Sequence, residues 1–188
     1  SAKESQAKIW VNTQSWCGIR GLGDRQKQQT AMDSVKKYLD TELGIKKIHP
    51  AMKDYPSRED PLTYYNKGCG ENGSVFCHAN TWAIIAECML GRRENAWKYY
   101  HQLLPMAAQR TAGEERYRAE PYVYSSNIFG PESDKFGLAN VSWLTGTAAW
   151  MYLAVTQYML GVRPAWDGLV VKPCLTEEML PAQVVRRF

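Results

Sequence analysis

The apolar pattern of this chain changes character once, at Gly161, and that change limits the possible folds more than any other feature. Ahead of it, apolar residues recur at helical spacing in segments closed by glycine or proline. In DRQKQQTAMDSVKKYLDTELG, Ala31, Val35, Leu39 and Leu43 stand four apart with Gly44 in the stop position, which predicts a helix from Asp24 to Leu43. NTWAIIAECMLG predicts a second, with Asn80 or Thr81 as cap and Gly91 as terminator. Arg93 to Leu104 predicts a third, ending before Pro105, and Ser142 to Leu160 a fourth, ended by Gly161. Between these two lies EPYVYSSNIFGPESDKFG, a long aromatic and turn-rich connection that opens on an extended X-Pro dipeptide. After Gly161, VRPAWDGLVVKPCLTEEMLPAQVVRRF has short apolar runs, β-branched pairs and Pro/Gly punctuation, the pattern of strands. The expected chain is therefore mainly α over residues 1–161, with a β element beginning at 162–188. KIWVNTQSW reads as the entry to a further helix, and both ends read as the interior of something larger.

Composition narrows the functional classes. At 188 residues, 45% of them hydrophobic, the chain can bury about two-thirds of its unfolded surface and is not a disordered segment. Aromatic content of 12%, with 7 Trp and 11 Tyr, fits a core and equally fits surfaces on which sugar rings stack. The net charge of +4 comes from dispersed pairs (Lys36-Lys37, Lys46-Lys47, Arg92-Arg93, Arg186-Arg187) rather than a basic stripe, which argues against nucleic acid and leaves small anions open. Five cysteines without CxxC spacing and three histidines do not make a zinc pattern, and scattered thiols fit a cytoplasmic protein. Trp143 to Leu160 has nearly the length of a membrane span but carries Thr145, Thr147, Thr156 and Gln157, so it reads as a buried helix, and no membrane association is expected. The opening SAKESQAK is polar and does not read as a signal peptide.

Two glycine-bearing segments hold the residues suited to chemistry. GCGENGSVFCHANTW places Glu71 and His78 seven residues apart at the mouth of the second predicted helix. A histidine beside a cysteine is commonly a structural residue. One that lies just before a helix start can add a donor to the unpaired N–H groups there, which together favour an anion. SWLTGTAAW sets Thr145 and Gly146 at another helix start, where the threonine either caps the first turn or joins the glycine N–H in approaching a phosphate. Glu71 among glycines, with Tyr65 six residues before it, is either solvated or able to accept two sugar hydroxyls at once. Composition and spacing reach a pocket for an anion and a sugar, and no reaction.

Read together, TQSWCGIRGLGD, SVKKYLDTELGI, ENGSVFCHANTWAIIAE, EPYVYSSNIFG and SWLTGTAAWMY resemble the inverting β-glycoside phosphorylases of glycoside hydrolase family 94, in the same order over nearly the whole chain. The resemblance implies part of an (α/α)6 barrel, its later half, followed by the start of a C-terminal β element. It implies that phosphate attacks the anomeric carbon of a β-glycoside of the cellobiose or cellodextrin type and releases an α-sugar 1-phosphate. An inverting hydrolase needs a carboxylic acid and a carboxylate base; a phosphate nucleophile is already anionic, so a phosphate cradle replaces the base. By the match, His78, Thr145 and Gly146 are that cradle, and Tyr65 and Glu71 line the sugar sites. The general-acid Asp and a phosphate-holding Arg are expected upstream of this chain, so no catalytic residue is assigned within it. Where many members read EPYVYAQ, this chain has Ser125 and Ser126, which leaves Ser126 at a sugar-contact position. The implied partners are the oligosaccharide, phosphate, the upstream portion and a second copy in a homodimer, with no metal or organic cofactor. A chitobiose-type enzyme, a phosphorylase-like domain of a glucan synthase and a non-catalytic sugar- or phosphate-binding module are the alternatives.

Overall fold

The computed structural model describes residues 5–52 and 65–185, so Arg186-Arg187 at the end of the expected β element lie outside the described residues. The described chain is mainly helical, with seven α-helices and short two-stranded ribbons. A short strand β1 (Ile9–Trp10) leads into α1 (Val11–Arg20) and α2 (Arg25–Tyr38). Strands β2 (Asp40–Thr41), β3 (Gly44–Ile45) and β4 (Ile48–His49) follow, and β5 (Val75–Phe76) runs directly into α3 (Cys77–Leu90). Next come α4 (Arg93–Leu103), α5 (Pro105–Ala112), α6 (Glu114–Tyr117) and β6 (Asn127–Ile128). α7 (Thr147–Leu153) continues as a π-helical stretch over Ala154–Met159, and β7 (Val162–Ala165) pairs with β8 (Gly168–Val171) in the hairpin anticipated after Gly161.

α3 is the hub. It is buried on nearly every face, from Cys77 through Ala83, Ile84 and Ile85 to Leu90, as befits a helix apolar all round. α1, α2, α4 and α7 all pack against it. The α1 crossing is close because both helices carry a small residue there: a Cβ on Gly18 would lie 3.1 Å from Ala86 Cβ. Gly91 ends α3 in the left-handed conformation at φ 73°, closing the helix where its sequence predicts.

Three helix boundaries differ from expectation, and in each case a hydrogen bond to a group outside the expected helix accompanies the change. α2 starts at its Asp24 cap, which accepts from Lys27 N–H at 2.8 Å, but stops at Tyr38 rather than Leu43. Thr41 Oγ1 donates to Gly44 O at 2.6 Å and folds the last five expected residues into the β2–β3 turn, while Leu39 and Leu43 still reach the core. α3 begins three to four residues before the predicted caps. Asn80 is buried and exchanges hydrogen bonds with the Ile45 backbone (2.7 and 2.8 Å), and Thr81 Oγ1 donates back to His78 O, so neither residue caps. Ser142–Gly146 is loop rather than helix. Ser126 N–H bonds Val141 O at 2.7 Å, Ser142 Oγ bonds Glu120, and Trp143 takes a positive φ of 64°. α5 is an additional helix, with Pro105 at its first position.

Candidate functional site

The two glycine-bearing segments meet at the first turn of α3. The Tyr65–Ser74 loop closes on itself, Gly68 N–H to Asn72 O at 2.8 Å, and Asn72 Nδ2 bonds the carbonyls of Tyr65 and Met52. Tyr65 lays its ring across Gly70, where a Cβ would sit 2.5 Å from the ring edge; only glycine fits that approach, and φ is positive there as well. The loop then enters β5, which pairs with β6 in the register Val75↔Ile128 and Phe76↔Asn127. This pairing delivers Cys77 and His78 into the helix.

His78 therefore lies inside the first turn of α3, not ahead of it. Its ring packs against Trp82 at 4.9 Å between centroids, with Trp150 at 6.2 Å and Trp16 behind Trp82 at 5.6 Å. Burial and, to a smaller extent, the charge of Lys47 hold its pKa below the ordinary value, so the ring is neutral at pH 7. Nε2 is buried and has no hydrogen-bond partner among the described residues, and Trp82 Nε1 is in the same condition. Buried polar atoms are nearly always paired, so these two neighbouring atoms mark a place suited to a polar ligand.

Gly146 faces that place. A Cβ there would stand 3.2 Å from His78 Cε1 and 3.5 Å from Nε2, although its φ of −75° suits any residue; the glycine is required for the close approach alone. Thr145 and the buried Thr147 join hydroxyls at 2.7 Å across Gly146. His78, Thr145 and Gly146, 68 residues apart in sequence at their ends, thus share one small region.

Glu71 and Tyr65 share the loop on one side of this region, and Glu71 Oε2 is 3.0 Å from Lys47 Nζ. Ser126 is placed differently. It is 5% exposed, its hydroxyl bonds Asn127 Oδ1 at 3.2 Å and its carbonyl accepts from Cys77 N–H at 3.1 Å, so it backs the first turn of α3 instead of lining the open side. A cavity of about 620 Å³ lined by Arg92, Arg93, Asn95, Thr176, Glu177 and Glu178 lies at the other end of α3, where none of these residues is found. Among the described residues no three His, Cys, Asp or Glu side chains gather as a metal-ligating group, and no helix is long and apolar enough to cross a membrane.

Lys46 and Lys47 were legible in sequence only as one of several dispersed basic pairs. In the structure both are buried, 6% exposed each, and they point to opposite sides of an extended segment. Lys46 Nζ bonds Glu132 Oε1 at 2.6 Å, with His49 Nδ1 at 2.9 Å; Lys47 reaches Glu71 and lies 4.6 Å over the Phe76 ring. In sequence only their adjacency marked them, because their burial depends on Glu132 and Glu71, which are distant in the chain.

A helical scaffold that sets a histidine against a glycine-threonine turn does not by itself name an activity. Comparison with known sequences is more specific. The profile of the glycosyl hydrolase 94 superfamily catalytic domain matches residues 1–161, and the chain belongs to that family. It is 34% identical over 178 residues to a solabiose phosphorylase of Paenibacillus borealis, covering 95% of this chain and 23% of that protein. It is 34% identical over 188 residues to an N,N'-diacetylchitobiose phosphorylase of Vibrio proteolyticus, covering 100% of this chain and 23% of that protein. A cyclic β-(1,2)-glucan synthase of Rhizobium meliloti (strain 1021) is 34% identical over 183 residues, 95% of this chain and 6% of the synthase. The chain thus spans about a quarter of the length of the phosphorylases it matches.

Proposed function

We propose that the polypeptide carrying this chain is an inverting phosphorylase of β-linked gluco-oligosaccharides, of the cellobiose or cellodextrin type, that releases α-glucose 1-phosphate. The observation that carries this reading is the unpartnered His78 Nε2 held in close approach to Gly146, beside the Thr145 hydroxyl. Family membership and phosphorylase relatives support it. In this reading His78, Thr145 and Gly146 hold phosphate, Tyr65 and Glu71 contact the sugar, and Ser126 forms the wall behind them. A phosphate oxygen bonds to the anomeric carbon from the face opposite the leaving group. The anomeric C–O bond breaks, and the leaving oxygen takes its proton from a carboxylic acid that the resemblance places upstream of this chain. What the residues here contribute is alignment of the nucleophile and donors aimed at its charge. Phosphate is a substrate, so the step is written without a metal.

The same reading makes residues 1–161 the later half of an (α/α)6 barrel and 162 onward the start of a β element, in a cytoplasmic homodimer. Similarity to the Vibrio enzyme supports an N-acetylglucosamine donor as the alternative, and similarity to the Rhizobium synthase supports a phosphorylase-like domain of a far longer protein. The test is phosphate release by the whole polypeptide. It is supplied with α-glucose 1-phosphate or N-acetyl-α-glucosamine 1-phosphate, each with glucose, N-acetylglucosamine, cellobiose, laminaribiose or gluconate. Release with one donor and acceptor supports the phosphorylase and names its substrate; silence across the panel leaves the synthase domain or a non-catalytic binding module. This chain by itself is expected to release none.

A further inference from the structure

Lys47 is a lysine in an unusual position. Lysine side chains are almost never this buried unless paired, and a single partially exposed carboxylate is a thin reason to bury one. Its backbone leaves little freedom: Lys47 N–H bonds Ser74 O at 2.7 Å, and its carbonyl accepts from Val11 N–H at 3.0 Å. The side chain is consequently aimed at the loop between Glu71 and β5. There the ammonium contacts Glu71 Oε2 at 3.0 Å and the face of Phe76 at 4.6 Å, and Phe76 is two residues from His78. An ammonium has three N–H donors, of which Glu71 takes one, and Glu71 is its one ion-pair partner among the described residues. The neighbouring lysine shows the contrast. Lys46 is enclosed between Glu132 and His49, on the side away from the proposed site.

This placement gives one cation a hand in both halves of the site. Neutral His78 supplies a donor but no charge, and the residues Thr145 and Gly146 supply none either. A phosphate dianion held by those three alone would lack a countercharge from this chain. We propose that Lys47 is a further positioning residue of this site, pinning Glu71 toward the sugar while supplying the fixed positive charge beside the phosphate place. The inference rests on the phosphorylase reading of His78 and Glu71. Lys47 lies outside every residue set that the sequence motifs single out, and its role follows from where the fold puts it.

The test measures binding of inorganic phosphate and of α-glucose 1-phosphate by calorimetry, alongside steady-state KM for each, on the whole polypeptide. Lys47→Met is expected to weaken both ligands at least tenfold, and Lys47→Arg, which keeps the charge, to restore most of the loss. Glu71→Gln, at the more open end of the pair, is expected to weaken the sugar phosphate and, by unpinning Lys47, to raise the phosphate Kd about threefold. His78→Ala is the control for the site itself. If His78→Ala leaves phosphate binding unchanged, the phosphate-site reading fails and takes this inference with it. If His78→Ala weakens phosphate while Lys47→Met changes only thermal stability, Lys47 is a structural counter-ion and the inference alone is overturned. Should Lys47→Met not fold, Glu71→Gln decides: a phosphate Kd that moves supports the coupling, and one that stays fixed overturns it.

Discussion

Helix α3 carries an ionisable group near each end, one fully enclosed and one half-buried, and the two are treated oppositely. At the C-terminal end Glu87 is fully enclosed, yet it is provided for. Arg92 Nε stands 2.8 Å from Oε2, off-line for a directed hydrogen bond but close enough to neutralise it, and Asn95 Nδ2 approaches Oε1 at 3.3 Å. Arg92 is itself tied to Asp33 at 2.6 Å on α2. Burial nevertheless pushes Glu87 up to about 7, with Arg92 opposing the shift. At the N-terminal end the His78 pKa is lowered by burial, Nε2 has no partner among the described residues, and the ring lies in close approach to Gly146. A charge-paired buried network fastens three helices together; a buried polar atom with no charged partner costs stability and suits contact with a ligand. The difference sets the charge-paired end of the helix apart from the end proposed as a site, and the cavity of about 620 Å³ lies at the paired end.

The largest expected effect breaks the charge-paired end. Arg92→Met leaves Glu87 without its cation and should cost about 3–5 kcal/mol of unfolding free energy at pH 8, read by denaturant titration. A cost below about 1 kcal/mol would mean that the buried carboxyl needs no counter-ion, and the contrast between the two ends would collapse.

The next effect is one of pH. Glu87 titrates near 7 when folded against 4.5 for an ordinary glutamate, so between those values the folded state holds the extra proton. Stability attributable to this group is therefore full below about pH 4.5, falls as pH rises through the window, and levels off above about 7, a change on the order of 3 kcal/mol. Glu87→Gln should flatten that part of the melting-temperature profile, and an unaltered slope would assign it to other groups.

The smallest effects fall on the site end and appear in ligand use rather than stability. His78→Ala should cost about 1.5–3 kcal/mol in phosphate kcat/KM, roughly 10- to 100-fold, with the acceptor KM unchanged. Thr145→Val should act in the same direction by less. Acceptor binding that collapses while phosphate kinetics hold would reverse the assignment of the two sides of the site.

What the sequence determined by itself was local. Glycine at a stop position, an aspartate before a helix and a period-to-alternation switch at Gly161 act through nearest neighbours, and Gly91, Asp24 and the β7–β8 hairpin behave as written. The motifs also named His78, Thr145, Gly146, Tyr65 and Glu71 as residues worth placing together. Helix starts and stops at Asn80, Thr41 and Ser142 were not legible, because their side chains bond groups outside the expected helix: Asn80 the Ile45 backbone 35 residues away, Ser142 Glu120, and Thr41 the Gly44 carbonyl that turns the chain. Lys47 was invisible for the same reason. A lysine in a strand-forming stretch is solvated by default, and only the closure of the Glu71 loop over it made its charge a buried one. Tertiary structure alone decided which polar atoms were satisfied and which were left waiting, since partners distant in sequence are chosen by packing.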